Sequence, residues 1–211
     1  KSDEKILIGK ELTRGLGWGG RPQRGREAAK EALAELKKAV GSADMVFVVA
    51  GMGGGTGTGA APVIAQIAKE SGAVVIGVVT MPFESEKARI DKAEFGLQEL
   101  RDVTDTTIVL DNNRLVDIAG QLPIEQAFAV ANELISTMCK GIVETITLPS
   151  LINLDYADVS AIMKDGGVAV IGIGEADTQN KVMEAVQQAL THPLLDVDYK
   201  GATGALIHVT C

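Results

Sequence analysis

The sequence predicts an α/β protein with a doubly wound, mostly parallel sheet, joined by a long central helix to the start of a second α/β domain. Two observations support this class. Segments of strand character alternate with segments of helical period along the 211 residues. The segments 45–50 and 73–80 are also apolar throughout, which is typical of parallel strands covered by helices on both faces.

The individual elements follow from the same signals. Apolar residues at three- and four-residue steps predict helices at 26–40, 60–71, 86–103, 122–146, 156–164 and 179–191. Short apolar runs predict strands at 6–8, 45–50, 73–80, 107–110, 167–174 and 204–209. Strands and helices alternate in this order, so the strands are expected to pair in parallel.

The helix predicted at 122–146 is unusually long. Its apolar positions, among them Phe128, Leu134 and Ile142, recur at three- and four-residue steps and wrap more than one face. We therefore expect a mostly buried helix that separates two domains. The predicted organisation is a first domain at 1–121, the central helix at 122–148 and the start of a second domain at 149–211.

Composition argues against several classes of function. A net charge of −8 disfavours a nucleic-acid partner, whose phosphates would require a basic surface. The two cysteines, Cys139 and Cys211, lack the spacing of a metal site or disulfide framework, so a cytoplasmic location is expected. Cys139 lies in an apolar helical run and is interpreted as a core residue. No apolar run reaches the roughly 18 residues of a membrane span, so no direct membrane insertion is expected.

Residues 51–59 (GMGGGTGTG) carry the strongest functional signal in the chain. Six of these nine residues are glycine, and the segment lies between a buried strand and a helix. Glycines let backbone N–H groups approach an anion closely, and the N-terminus of the following helix adds partial positive charge. The pattern predicts a phosphate-binding loop; the alternative is that the glycines only allow close packing of strand and helix.

Other phosphate-binding motifs match this segment less well. The motif GxxxxGK[ST] does not occur in the sequence, which excludes the usual P-loop. Gly55, Gly57 and Ala60 match the dinucleotide pattern GxGxxA, but that pattern has low specificity. The longer string GGGTGTG at 53–59 resembles the signature of the tubulin/FtsZ family of GTPases, and similar motifs continue in the same order along nearly all of the chain.

The resemblance implies a tubulin-like GTPase domain that binds GTP and GDP, with Mg²⁺ expected alongside the nucleotide. One phosphate-contacting segment of the family is similar to GWGGRP at 17–22, which contains Gly19. The main loop supplies the other implied contacts, Gly53, Gly54, Gly55, Thr56, Gly57, Thr58 and Gly59. No side chain is assigned as a metal ligand.

The resemblance also implies contacts to the ribose and the base. Glu86 and Arg89 match the pair that holds the ribose, and a surface ion pair is the alternative. Asn112 matches an asparagine that contacts the base. Phe128 and Asn132, four apart on one helix face, match the aromatic that stacks on guanine and the amide that reads its edge. The alternative for Phe128 is a position in the core. A buried Asn132 would need hydrogen-bond partners, which the guanine edge would supply.

Asn153, Asp155 and Asp158 match the NxDxxD pattern of the family. The resemblance implies that the two carboxylates position the water that attacks the γ-phosphoryl group. It further implies that this segment completes the site of the next subunit, so that copies assemble head to tail into filaments. The residues alone favour a different interpretation, in which Asp155 caps a helix and Asp158 lies in its first turn.

Several positions depart from the family pattern. Trp18 stands where Ala is usual, the spacing from Glu86 to Arg89 is one residue shorter, and Ser150 replaces a glycine. The first strand and loop of the family have no counterpart, and the second domain is incomplete. We therefore expect a piece of a longer protein, which would bind GTP poorly by itself because a sheet edge would be uncovered.

Three functions are compared. The favoured one is a GTPase that polymerises for cell division in the cytoplasm at the division site, with other division proteins bound through a C-terminal region outside this sequence. The second is a non-hydrolysing tubulin-like scaffold or cell-shape protein, which the departure at Trp18 and the shortened spacing favour slightly. The third is an NAD(P)-dependent oxidoreductase, which lacks a clear acidic ribose anchor after the strand at 73–80 and an obvious catalytic pair.

Overall fold

A parallel sheet forms the centre of the structure. The computed structural model describes residues 3–14, 19–114, 124–147, 155–164, 166–191 and 201–209. Within these residues the strands lie in the order β1-β2-β3-β4, with bounds Met45–Gly51, Val74–Met81, Thr106–Asp111 and Gly167–Ala169. Each neighbouring pair is parallel, so the predicted α/β class with a parallel sheet is confirmed.

Helices cover both faces of this sheet. Their bounds, from α1 to α8, are Lys10–Thr13, Pro22–Glu31, Leu33–Val40, Thr56–Glu70, Lys87–Arg101, Ile124–Thr147, Tyr156–Met163 and Lys181–Leu190. α4 and α5 pack on one face, and α6 and α7 pack on the other. This confirms the doubly wound arrangement. None of the helices in the described ranges is both long and apolar enough to cross a membrane.

Strand β2 explains why the central strands are apolar throughout. Val75 and Val79 belong to the cluster formed with α4 and α5, whereas Ile76 and Val78 belong to the cluster formed with α6 and α7. All four side chains are buried. Successive side chains of a strand point to opposite faces, so a sheet covered on both faces needs apolar residues at every position.

Two predicted strands are wrong. Residues 6–8 and 204–209 form no strand. Ile6 and Ile8 pack instead against the small cluster between α2, α3 and α4, and Leu206 packs on the side of the sheet that α6 covers. Packing accounts for only these three residues, since Leu7, Ile207 and Val209 are exposed. Apolar character alone does not require a strand partner.

Several boundaries also differ from the prediction. The strand predicted at 167–174 is limited to β4. The helix predicted at 26–40 is divided into α2 and α3 at Ala32, whose ψ of 19° is not helical. The helix predicted at 60–71 begins already at Thr56, so the glycine-rich segment includes the first turn of α4. Packing of α4 between β1 and α2 outweighs the low helix propensity of these glycines.

The predicted long helix occurs as α6, but it is not mostly buried. Met138 and Ile142 face the sheet and are buried, whereas Phe128 and Val143 are exposed. α6 is therefore amphipathic, with one face on the sheet. Cys139, interpreted above as a core residue, is half-buried, and this burial raises the pKa of its thiol above the ordinary value.

Strand β4 lies beyond the central helix in sequence and still pairs with β3. Its register joins Thr106 to Gly167 and Ile108 to Ala169. The sheet thus contains residues from both sides of the predicted domain boundary. The division at 1–121, 122–148 and 149–211 stays a prediction.

Candidate functional site

Three segments of the candidate site follow the carboxyl ends of neighbouring strands. The glycine-rich loop follows β1, residues 82–86 follow β2, and Asn112 follows β3. Gly51 pairs with Thr80, and the next residue of β2 pairs with Asp111, so the three strand ends line up. In parallel sheets the crevice at this edge is the usual ligand site.

The glycine-rich loop turns sharply into the N-terminus of α4. Gly53 has a φ of 90°, a conformation that favours glycine, and its N–H donates to Oγ1 of Thr58 at 2.9 Å. The amides of Thr56, Gly57 and Thr58 have no helical carbonyl four residues before them. The first turn of α4 also contains no acidic residue. These features suit an anion at the helix N-terminus.

Two residues predicted to contact the nucleotide already make hydrogen bonds within the protein. Thr58 is fully buried, and its hydroxyl accepts the hydrogen bond from Gly53. Gly59 is buried, its N–H donates to the Gly55 carbonyl at 3.2 Å, and a Cβ there would overlap the Pro22 carbonyl. Both residues therefore shape the loop, and nucleotide contact by Thr58 and Gly59 stays a prediction. The alternative role of close packing therefore applies to part of the segment.

The remaining loop residues differ in their surroundings. A Cβ on Gly57 would overlap the Gly51 carbonyl, so Gly57 lets the loop fold back on β1. A Cβ on Gly54 would meet no atom within 4 Å, and Thr56 is exposed. Gly54 and Thr56 therefore border the open side of the loop, and Gly55 is buried behind them.

The segment that contains Gly19 lies beside this loop. Gly19 is exposed with a φ of 54°, and the carbonyl of Gly20 accepts a hydrogen bond from Nζ of Lys92 at 2.9 Å. Further along, a Cβ on Gly25 would overlap the Gly55 carbonyl, so α2 approaches the loop closely. Sequence reasoning does not identify Lys92, because a lysine on an exposed helix face carries no distinctive signal.

Glu86 and Arg89 form the ion pair that sequence reasoning gave as the alternative. Nη1 of Arg89 lies 2.6 Å from Oε2 of Glu86, and Oε1 of Glu86 accepts the Phe83 N–H at 3.3 Å. A Cβ on Gly53 would lie 2.9 Å from Cβ of Arg89, so α5 begins directly against the glycine-rich loop. The pair is therefore adjacent to the loop, in agreement with a shared site.

Asn112 is buried, and its Oδ1 has no hydrogen-bond partner among the described residues. A buried acceptor of this kind requires a donor. The neighbouring Asn113 is satisfied instead, since its Nδ2 donates to Asp111 at 2.7 Å and its Oδ1 accepts the Glu84 N–H at 2.9 Å. Asn113 thus connects the loops after β2 and β3, a role that sequence reasoning missed.

Phe128 and Asn132 bring α6 to the same edge of the sheet. The Phe128 ring contacts the Phe83 ring edge to face, with centroids 5.9 Å apart. Phe128 is 40% exposed, so the alternative interpretation of Phe128 as a core residue is wrong. Asn132 is exposed one turn later, so the expectation of a buried amide is wrong as well. The exposed faces of both leave room for a ligand.

Asp155 and Asp158 form a capping box at the start of α7. The Asp158 N–H donates to Oδ1 of Asp155 at 2.9 Å, and the Asp155 N–H donates to Oδ2 of Asp158 at 3.3 Å. Both residues are exposed. The N-capping interpretation is therefore confirmed, while each carboxylate keeps one oxygen outside the cap. Asn153 lies outside the described residues.

These carboxylates do not lie with the glycine-rich loop. The Tyr156 hydroxyl donates to the carbonyl of Asp44, directly before β1, at 2.6 Å. At the other end of α7, the Met163 carbonyl accepts from Thr106, the first residue of β3. α7 therefore lies at the amino ends of the strands. β1 has seven residues and spans about 20 Å, which separates the carboxylates from the loop at its carboxyl end.

Two family models match this chain in sequence. Residues 1–120 match the family model described as Tubulin/FtsZ family, GTPase domain, and residues 167–211 match that of the FtsZ family, C-terminal domain. The cell division protein FtsZ 2 of Halobacterium salinarum is 59% identical over 210 residues, which cover 100% of this chain and 53% of that protein. The chain thus spans about half the length of the curated relatives it matches.

Solved structures agree with the sequence matches. An empty FtsZ dimer from M. jannaschii superposes with a TM-score of 0.91 at 53% identity, covering 96% of this chain and 60% of that one. A GDP-bound CetZ1 monomer from Haloferax volcanii gives a TM-score of 0.68 at 26% identity, covering 80% and 51%. By its sequence, its fold and the match of residues 1–120 to the family model, this chain belongs to the tubulin/FtsZ family.

Proposed function

We propose that this chain is the nucleotide-binding part of a GTPase that polymerises head to tail into filaments for cell division. Three findings support the proposal: family membership, relatives named cell division protein FtsZ, and a fold neighbour described as GDP-bound. The geometry of the site adds open space beside Gly54 and a buried acceptor with no donor among the described residues.

The carboxyl edge of the sheet binds the nucleotide in this proposal. Main-chain amides hold the phosphates, the ion pair holds the ribose, and three side chains contact the base. The residues are Gly19, Gly54, Gly55, Thr56 and Gly57 for the phosphates, Glu86 and Arg89 for the ribose, and Asn112, Phe128 and Asn132 for the base. Gly53, Thr58 and Gly59 hold the loop in shape. Asn112 gives the clearest support, because guanine carries N–H groups that could donate a hydrogen bond to the buried Oδ1 of Asn112.

The observation that carries the proposed assembly is the separation of loop and carboxylates. Asp155 and Asp158 lie at the amino end of the sheet, about 20 Å from the loop along β1. They are therefore too far away to act on a phosphate bound by their own chain. A second copy stacked in the same orientation would bring its carboxylates to the first copy's loop. Such a head-to-tail contact does not close on itself and extends into a filament.

Hydrolysis then takes place between two subunits. The carboxylates of the next subunit, with Asn153 in the same segment, position a water against the γ-phosphorus. The water oxygen forms the new bond, the bond to the bridging oxygen breaks, GDP leaves, and a carboxylate accepts the proton. The capping box supports this role, because it holds both carboxylates in one orientation while an oxygen of each stays outside the cap.

Mg²⁺ fits this site as a companion of the nucleotide. Among the residues that the structure describes, no group of three or more His, Cys, Asp or Glu is placed to hold a metal ion. Mg²⁺ commonly keeps its waters and binds substrate phosphates, where it neutralises their charge. The protein would therefore supply the phosphate cradle and leave the cation to the nucleotide.

The partners and location follow from the same proposal. The main partner is a further copy of the protein, and other division proteins would bind through a C-terminal region outside this sequence. The proposed location is the cytoplasm at the division site. The net charge of −8 supports an absence of nucleic-acid partners.

A mixing experiment with the full-length protein tests the shared site. Gly53→Ala distorts the loop, and Asp158→Asn removes a carboxylate, so each variant alone should lose GTP hydrolysis. In an equal mixture, an intact loop meets an intact carboxylate at about a quarter of the contacts, so about a quarter of the wild-type phosphate release is expected. Each variant at the total concentration of the mixture is the control.

Two outcomes would overturn parts of this proposal. A mixture no more active than its components would contradict the shared site, provided that Asp158→Asn still binds GTP. Sedimentable polymer with bound GTP and no phosphate release from the wild type would favour the non-hydrolysing scaffold instead. Trp18 and the shortened spacing between Glu86 and Arg89 are the sequence features that slightly favour this second candidate.

A further inference from the structure

Helices α4 and α5 are in close contact where Gly96 meets Thr58. Both residues are buried, and Thr58 is fully enclosed. A Cβ on Gly96 would overlap Cγ2 of Thr58 and would lie 3.3 Å from its carbonyl oxygen. The side chain of Thr58 therefore occupies the space that any residue larger than glycine would need.

Thr58 connects this contact to the glycine-rich loop. Its Oγ1 accepts the Gly53 N–H at 2.9 Å in a buried environment. Gly53 is held from its other side as well, because a Cβ there would lie 2.9 Å from Cβ of Arg89. A φ of 90° at Gly53 is unfavourable for other residues, so the loop depends on both contacts to keep its shape.

We propose that Gly96, which is not among the residues that contact the nucleotide in the proposed site, is a positioning residue for the phosphate loop. Its missing side chain seats Thr58, the Thr58 hydroxyl fixes the Gly53 amide, and the Gly53 turn aims the amides that follow it. α5 thus holds the loop at two levels, through Arg89 at its start and through Gly96 two turns later. This inference rests on the proposed function of the loop.

A purely structural role for Gly96 makes a different prediction. If Gly96 only allowed α4 and α5 to pack, Gly96→Ala would lower the melting temperature and leave GDP affinity unchanged in protein that is still folded. If Gly96 positions the loop, affinity falls in folded protein. Because the overlapping atom is the Thr58 methyl group, Thr58→Ser in the same chain should relieve it while keeping the hydroxyl.

The test measures GDP affinity by calorimetric titration in the full-length protein, at a temperature where far-UV circular dichroism shows every variant folded. Gly96→Ala is expected to weaken binding about tenfold, the effect of losing one buried hydrogen bond. The double variant Thr58→Ser/Gly96→Ala should return to the affinity of Thr58→Ser alone. Thr58→Val, which keeps the shape and removes the acceptor, should weaken binding about as much as Gly96→Ala.

A helical glycine in open space provides the matched control. A Cβ on Gly141 of α6 would meet no atom within 4 Å, so Gly141→Ala should bind GDP like the wild type. Equal affinity of Gly96→Ala and wild type would overturn the inference, as would a double variant as weak as Gly96→Ala. If Gly96→Ala does not fold, equal affinity of Thr58→Val and Thr58→Ser would overturn it. A wild type that binds no GDP would instead refute the proposed function.

Discussion

The two ends of the sheet are built in opposite ways. At the carboxyl end, glycines bring backbone atoms into close contact, as where Gly57 meets the Gly51 carbonyl and Gly59 meets the Pro22 carbonyl. At the amino end, Asp155 and Asp158 are exposed, and the carboxylate of each accepts the backbone N–H of the other in the cap. The loop at the first end is shaped by dense packing, whereas the carboxylates at the second are held by local hydrogen bonds.

This difference determines how each end responds to substitution. In a densely packed loop, an added atom displaces its neighbours, so stability and binding are lost together. In an exposed cap, a side chain can change its charge while its hydrogen bonds remain. Binding should therefore be coupled to folding at the carboxyl end, whereas catalysis should be separable from folding at the amino end.

The largest effect is expected from the glycine-rich loop. Gly53→Ala places a Cβ against Arg89 at a φ of 90°. We expect a loss of about 2 kcal/mol in the free energy of unfolding and a GDP affinity about 100-fold weaker. Urea denaturation of nucleotide-free protein and equilibrium titration with GDP measure the two effects.

The neighbouring residue, Gly54, distinguishes a substitution that fills the open side of the loop from one that disturbs its shape. A Cβ on Gly54 would meet no protein atom within 4 Å, so Gly54→Ala should leave the free energy of unfolding unchanged. It should still weaken GDP binding, because the added methyl group enters the space assigned to phosphate. Equal destabilisation by both substitutions would contradict the described packing.

An intermediate effect is expected at Asn112. Asn112→Leu removes a buried acceptor that has no partner among the described residues, so nucleotide-free stability should stay constant or rise. GDP affinity should fall about tenfold, since the base loses its hydrogen-bond acceptor. The adjacent Asn113→Leu is the matched control and should reduce stability, because it breaks bonds to Asp111 and Glu84. A stability loss at Asn112 equal to that at Asn113 would show that Asn112 has a structural partner.

At Asp155 we expect stability and GTP hydrolysis to be separable. Asp155→Asn keeps a good N-cap and should unfold like the wild type, whereas Asp155→Ala should lose about 1 kcal/mol. Both should lose GTP hydrolysis in the full-length protein, because both lack the carboxylate. Thermal unfolding and phosphate release separate the two properties. Wild-type hydrolysis by Asp155→Asn would leave helix capping as the role of this residue.

Much of this could be predicted from local sequence. The apolar runs of β1 and β2 identify both strands, and the glycines between β1 and α4 predict an anion loop. The family motifs also mark Asn112, because a short string of residues is enough to recognise a loop. Strands at 6–8 and 204–209 are errors, because an apolar run does not reveal whether a strand or a helix will cover it.

The sequence by itself determined the parallel sheet and most of the order of elements, and it predicted a phosphate loop, since these depend on period and on residues adjacent in the chain. Only the tertiary structure decided which loop residues face outward, that Asn132 is exposed, and that Gly96 and Lys92 support the loops. It also placed Asp155 at the far end of the sheet. The physical reason is that such contacts join residues distant in sequence, and their distances are set by how helices and strands pack.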